Sequence, residues 1–393
     1  TQVVATAHLR AGLARTHGQD FMLRRDGVLL PYLHHPPLYP LVVAAVYHLT
    51  GRSDPLVTRM IPAVFHLLGF VGAWMLARIL FPESPARRLI AVFLHALVPM
   101  SSFFGKMPFN EPLALCFVIW GTVFLAALRA PARAVADPRT GEPVTGPRPQ
   151  TARRRATLAA GCWAWLVAGL TSWSAYPVLF GLWGLTALES WRRGPRGPVV
   201  LIALTALGTF GIVAVQLAWA GGLGPLFHAG GFWGAGIGDR GLLIDSFGRI
   251  LRHQRLYFAN APSLLFAGWL ALAARDSWRG REGRSQPGSA QRLLLAGVAG
   301  CTLWIVAFAR QVGIHGYRQI WLLPFETLAV ADATVRAWHA LAARPTLRAG
   351  LAGVAAAIVV GSTAVTLVHR YTRPLAYAVE TAAWFAETFE NRP

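Results

Sequence analysis

Residues 38–50 read LYPLVVAAVYHLT, an apolar run of thirteen residues, and the topology of the chain turns on whether it crosses a bilayer. A crossing takes roughly 17–25 mainly apolar residues. The run is therefore short for a span and suits a helix lying at the interface. Ten other segments are long enough or nearly so: 57–82, 88–104, 111–129, 156–172, 175–191, 198–220, 260–274, 291–309, 318–337 and 348–368. If 38–50 stays at the interface, the loops 83–88, 130–155, 192–197, 275–290 and 338–347 share one side. Those loops are rich in arginine. The 130–155 stretch holds Arg133, Arg139, Arg148, Arg153, Arg154 and Arg155 against Asp137 and Glu142, and 275–290 holds Arg275, Arg279, Arg281 and Arg284. Cytoplasmic loops carry the excess of basic residues, so these loops are expected inside, and residues 1–37 outside.

Composition agrees with a membrane protein. Of 393 residues 54% are hydrophobic and only 14% charged, where a soluble domain carries about 25% charged residues. The 37 basic against 17 acidic residues give a charge of +20. The basic residues sit in short stretches between apolar runs, with no zinc-finger spacing and no RNA-recognition motif, so a nucleic-acid partner is not expected. Cys116, Cys162 and Cys301 all lie inside apolar runs without CxxC spacing and are expected to be buried thiols. The chain opens on TQVVATAHLR without an initiator Met, and one further span is expected upstream of it.

The expected architecture is an all-α polytopic transmembrane bundle of about ten spans in a single domain covering 1–393, with juxtamembrane helices on the outer face. Residues 1–56 form the first outer loop with its juxtamembrane helix. Pro, Gly and Thr in 130–155 mark a disordered cytoplasmic loop. The stretch 220–258 reads as a long outer loop, and 369–393 as an outer tail.

On this topology the polar chemistry gathers outside. In YLHHPPLYP, 32–40, His34 and His35 stand ahead of a proline-started helix, whose N-terminus attracts anions, and Tyr39 follows. In GKMPFNEP, 105–112, Pro112 is expected at the first helical position with Glu111 at the cap. Glutamate is not a preferred cap, but a carboxylate there is held ready to accept a proton. Lys106, the only lysine, suits a phosphate. TSWSAYP, 171–177, offers Trp173 and Tyr176, alternatively residues of an interfacial aromatic belt. Arg255 and Tyr257 close the long loop, where anionic head groups could meet them. His315, Tyr317 and Arg318 stand where a late helix begins, Arg being suited to bidentate phosphate contacts. Deeper in that helix, Glu326 is an intramembrane carboxylate; the structural alternative is a protonated acid bonded to a backbone carbonyl. Solvated loop positions are the alternative for Lys106, Glu111 and the histidines.

Taken together these stretches resemble the GT-C superfamily of polyprenyl-phosphate-sugar-dependent glycosyltransferases, nearest the branch of protein mannosyltransferases and lipid A aminoarabinose transferases. HHPPLYPLVVAAVYHLTG is similar to that family's first-outer-loop motif, with His35 where many members carry Lys or His. SSFFGKMPFNEPLAL places Asn110 and Glu111 at an Asn/His–Glu pair. GLTSWSAYPVLFGLWGL resembles a segment often written with Asp–Trp, with Ser172 at the Asp position. HGYRQIWLLPF looks like the family's His-x-Tyr start of a late helix. The likeness runs in order over roughly 7–330. One departure concerns the acidic residue of the first outer loop, since nothing acidic precedes Asp20. Either it lies upstream, or Asp20 or Asp26 takes its place, or the chain is not a competent enzyme.

The resemblance implies inverting transfer of a hexosyl or pentosyl group from a polyprenyl-phosphate sugar at the outer face of the cytoplasmic membrane. Glu111 and Asn110, with Asp20 or Asp26, would do the chemistry. Lys106, His34, His35, His315, Tyr317 and Arg318 would hold the donor phosphate, and Tyr39, Trp173, Tyr176, Arg255 and Tyr257 the rest of the substrates. Membrane lipid and a glycan, lipid or protein acceptor are the expected partners. The polyprenyl-phosphate sugar is the donor substrate and no cofactor beyond it is assigned; a divalent metal is left open, although no cluster of carboxylates demands one. A transporter or flippase, or a non-catalytic membrane scaffold, would share the composition and topology.

Overall fold

The computed structural model describes residues 2–12, 21–23, 29–31, 36, 38–105, 107, 109–129, 135–136, 143–144, 147–193, 197–219, 240–281, 288–314, 316–350 and scattered positions between 353 and 368. Helices dominate. The first are α1 (Gln2–Ala11), α2 (Leu38–Thr50), α3 (Pro55–Leu80), α4 (Pro85–Leu97), α5 (Pro99–Phe104) and α6 (Glu111–Arg129). Then come α7 (Pro147–Thr171), α8 (Ala175–Arg193), α9 (Gly197–Trp219), α10 (Arg240–Phe258), α11 (Asn260–Arg281), α12 (Ser289–Ala307) and α13 (Ala309–Ile314). A 3-10 helix (Gly316–Leu322) leads into α14 (Leu323–Ala340). Two short antiparallel pairs stand apart from the bundle's all-helical plan: β1 (Phe21–Leu23) with β2 (Leu29–Pro31), and β3 (Val135–Ala136) with β4 (Pro143–Val144).

Among the described residues three helices, α3, α6 and α12, are long and apolar enough to cross a membrane by length and composition. The number rises to four if Leu243–Phe258 and Asn260–Trp278, bent by 113° at their break, form one span. Ala259 makes that bend with φ 65°, a left-handed backbone uncommon outside glycine. The thirteen residues of α2 fall below span length. Exposed Val200, Leu204, Leu207, Phe210 and Val215 give α9 an apolar outer surface.

Several elements differ from the sequence reading. The expected span 88–104 is broken into α4 and α5, because Pro99 cannot continue a helix and drives Val98 to φ −59°, ψ 139°. The expected span 318–337 starts as the 3-10 helix. The helix α7 begins at Pro147, inside the stretch read as a linker, and α10 occupies the second half of 220–258. About half of the span expected at 348–368, and all of 369–393, lie outside the described residues.

The helix α6 lies between α3 and α7, α8 packs on α12, and α14 packs on α4 and α11. Helix pairs in a membrane approach most closely where small residues meet. A Cβ on Gly300 of α12 would stand 2.5 Å from the Pro177 carbonyl oxygen of α8, and one on Gly181 2.5 Å from that of Ala296. The buried carboxylate of Asp332 ties three helices together. It pairs with Arg87 at 2.9 Å and accepts from Arg336 Nε at 2.8 Å and Trp269 Nε1 at 3.1 Å. At the start of α3, Asp54 caps the helix by accepting from the Leu56 and Val57 amides, with Pro55 next to it.

Candidate active site

The site is built where α6 begins. The Asn110 carbonyl accepts from the Ala114 amide at 3.0 Å, so Asn110 takes the cap position and Glu111 opens the helix, one residue earlier than expected. Asn110 Nδ2 also donates to the Thr171 carbonyl at 3.1 Å, pinning the start of α6 to the end of α7. The antiparallel turn from α7 into α8 brings Ser174 to the same end. The 3-10 helix then inserts Arg318, whose Nη1 lies 3.4 Å from Glu111 Oε1 and donates to Ser174 Oγ at 3.2 Å.

Both members of this pair are buried, with side chains 5% exposed for Arg318 and 4% for Glu111. At 3.4 Å the contact is an ion pair rather than a close hydrogen bond. Both Glu111 carboxylate oxygens are buried without a hydrogen-bond partner. A buried carboxylate in that state has unused acceptor capacity, which a donor hydroxyl can take up.

Tyr39 comes to this place by packing. Together with Val43 and Tyr47 of α2 it joins Ala5 of α1, Ile61 of α3 and Leu113 of α6 in a small apolar cluster. Its hydroxyl is buried without a partner. Burial first, then the charge of Glu111, then Tyr47, raise the Tyr39 phenol above its ordinary pKa, so it is held as a hydrogen-bond donor. Trp173 stacks on Tyr176, ring centroids 5.9 Å apart. Tyr176 in turn lines an apolar groove between α7, α8 and α9, with Trp165, Phe180, Trp183 and Ile202.

The structure thus brings together Tyr39, Asn110, Glu111 and Arg318 from three of the motifs singled out in the sequence. It does not bring Arg255 and Tyr257 into that group. Arg255 is exposed and donates to Asn260 Oδ1 at 3.0 Å, while Tyr257 is buried, stacked on His253 and edge-on to Phe104. Glu326 lies in a separate setting. Gln254 Nε2 donates to both of its oxygens, at 2.9 and 2.8 Å, so its partner is a side-chain amide and not the backbone carbonyl of the structural alternative. Asp20, Asp26, His34, His35, Lys106 and His315 lie outside the described residues, as does the side chain of Tyr317. Among the described residues no group of three or more His, Cys, Asp or Glu is placed to hold a metal ion.

Two residues that hold these charged side chains escaped the sequence reading. Ser174 sits inside TSWSAYP, where the aromatics and Ser172 carry the resemblance; Ser172 Oγ instead accepts from the Ser174 amide and shapes the turn. Gln254 neighbours Arg255, and only an amide partner for the Glu326 carboxylate would have singled it out.

No family model and no curated protein matches this sequence. Solved structures match by fold. The aminoarabinose transferase ArnT from Cupriavidus metallidurans, bound to undecaprenyl phosphate, superposes with a TM-score of 0.52 at 16% identity, over 85% of this chain and 54% of that one. The Archaeoglobus fulgidus oligosaccharyltransferase in complex with zinc and sulfate gives 0.55 at 14% identity, over 86% of this chain and 45% of that one. The same archaeal enzyme, AglB, with an inhibitory peptide and a dolichol phosphate gives 0.54 at 13%, over 86% and 47%. This chain spans about half the length of these proteins. This chain shares its fold with these proteins, as the resemblance of its motifs implied.

Proposed function

We propose that this chain is a membrane glycosyltransferase that moves a sugar from a polyprenyl-phosphate donor to an acceptor at the outer face of the cytoplasmic membrane, in a bundle of about ten spans. The observation that carries the reading is the buried Glu111–Arg318 pair, a carboxylate with unused hydrogen-bond acceptor capacity beside a guanidinium at one end of the bundle. Support comes from the fold shared with ArnT bound to undecaprenyl phosphate and AglB bound to a dolichol phosphate.

For a hydroxyl acceptor, the acceptor oxygen attacks the sugar's anomeric carbon from the side opposite the phosphate. The bond from that carbon to the phosphate oxygen breaks, the configuration inverts, and the hydroxyl proton passes to Glu111. Negative charge grows on the leaving phosphate, and in this reading Arg318 stabilises it. Lys106, His34, His35, His315 and Tyr317 complete the phosphate site in this reading, and Asp20 or Asp26 assists Glu111. Asn110 fixes the start of α6, and Tyr39 donates to a substrate oxygen. The groove beside Tyr176, Trp165 and Trp183 receives apolar chain, and Trp173 stacks on the sugar or acceptor.

The test is incubation of the full-length protein with radiolabelled polyprenyl-phosphate sugars and membrane extract. Label moving from the lipid to a new glycoside supports the reading. Label carried across the bilayer while still attached to its lipid would replace it with a transporter.

A further inference from the structure

A second charged constellation lies at the opposite end of α6. The nineteen residues from Glu111 to Arg129 rise about 27 Å at 1.5 Å each, close to the ~30 Å thickness of a bilayer's hydrocarbon core. Arg129, the last residue of α6, donates from Nη2 to Glu189 Oε1 of α8 at 2.6 Å. Arg292, in the first turn of α12, donates from Nε to the same oxygen at 3.0 Å. Above them Arg154 of α7 donates to the Leu128 carbonyl at 3.4 Å. Two guanidinium groups, from α6 and α12, therefore meet one carboxylate of α8, with Arg154 held beside them on a backbone carbonyl, so that among the described residues of this cluster three arginines stand against one carboxylate at the depth of a membrane surface.

The geometry is unfinished in a particular way. One oxygen of Glu189 serves both Arg129 and Arg292, and Nη1 of Arg129 is buried with no hydrogen-bond partner. Arg129 is 14% exposed, while Glu189 and Arg292 are 31% exposed, so the cluster opens to its surroundings. Leu188, beside Glu189, is 53% exposed and offers an apolar neighbour. An anion with several oxygens would satisfy Arg129 Nη1 and neutralise the surplus charge. Guanidinium groups match the two unesterified oxygens of a phosphodiester, and basic pockets between membrane helices hold anionic lipid head groups.

We propose that Arg129 and Arg292, paired with Glu189, and Arg154, held on the neighbouring Leu128 carbonyl, bind the phosphodiester head group of an anionic phospholipid in the leaflet away from the Glu111–Arg318 pair. The site is separate from the proposed chemistry, and its test needs no turnover. Purified full-length protein is equilibrated with vesicles of equimolar phosphatidylglycerol and phosphatidylcholine, and the lipid retained is identified by native mass spectrometry. Phosphatidylglycerol should be kept in preference to phosphatidylcholine. Arg292→Gln and Arg129→Gln should each weaken retention, by about fivefold per charge lost. Arg129→Gln removes a buried partner of Glu189 and is prone to misfold, so Glu189→Gln supplies the opposite arm: without the competing carboxylate, retention should strengthen. Arg249→Gln, at an exposed arginine paired with Asp245, should change nothing. Equal retention of both lipids, Arg292→Gln with undiminished retention, or complete displacement of the lipid by inorganic phosphate would overturn the proposal.

Discussion

With Arg318 replaced by methionine, Glu111 would be left as an uncompensated carboxylate among buried atoms. Losing one partner of a buried pair costs about 3–5 kcal/mol, so Arg318→Met should lower the melting temperature clearly. Adding Glu111→Leu to that variant removes the orphaned charge, and most of the stability should return, measured by thermal unfolding in detergent. A double variant no more stable than Arg318→Met would mean that the pair is not coupled as its 3.4 Å separation implies. Asn110, Glu111 and Arg318 were legible in the sequence because Pro112 marks a helix start and because charge is rare in so apolar a chain. Ser174 was not, since its role depends on Arg318 arriving from a segment 144 positions away. Nor was the approach of Tyr39 to Glu111, which follows from α2 packing on Leu113.

Among the elements, the α8–α12 contact is the most sensitive to a single methyl group. Gly300→Ala would press a Cβ to 2.5 Å from a backbone oxygen that cannot swing away. Overpacking of this kind costs about 1–3 kcal/mol. Gly184→Ala, on α8 with open space around it, should instead be neutral or slightly stabilising through helix propensity. Comparing the two unfolding temperatures checks the helix pairing itself. The cap of α3 gives a pH signature. The Val57 amide first, then Arg52, hold the Asp54 carboxyl below its ordinary pKa. A depressed folded pKa gives stability that is present above the unfolded value and lost as pH falls through the folded one. The melting-temperature gap between wild type and Asp54→Ala should therefore be full at neutral pH and close below the ordinary carboxylate range. Helices α3, α6 and α12 were legible because length and hydropathy coincide there. The α4–α5 break was missed because hydropathy runs unbroken across Pro99, while the backbone does not.

At the scale of the whole molecule, the ends of the bundle differ in chemistry. One end gathers Tyr39, Glu111 and Arg318, and the other Arg129, Arg154 and Arg292. Cysteines introduced in 130–155 should be labelled only from the cytoplasmic side, and one introduced beside His34 only from outside. Labelling of both from the same side would remove the outer-face site. The fold was legible from the order of four weak motifs along the chain, each of which alone fits a loop. The span count was less so, because composition marks apolar segments but not which of them bend, break or lie flat. The central claim is that chemistry occurs at Glu111 and not at the carboxylate Gln254 already satisfies. It is tested most directly by measuring turnover of Glu111→Gln and Glu326→Gln in the full-length protein. Glu111→Gln leaves Arg318 without its carboxylate and should lower the melting temperature; assayed below that temperature it should bind donor and lose about 10²–10⁴-fold in turnover, as for removal of a general base, while Glu326→Gln changes activity little. An indispensable Glu326 beside a replaceable Glu111 would contradict the account and move function into the interior of the membrane.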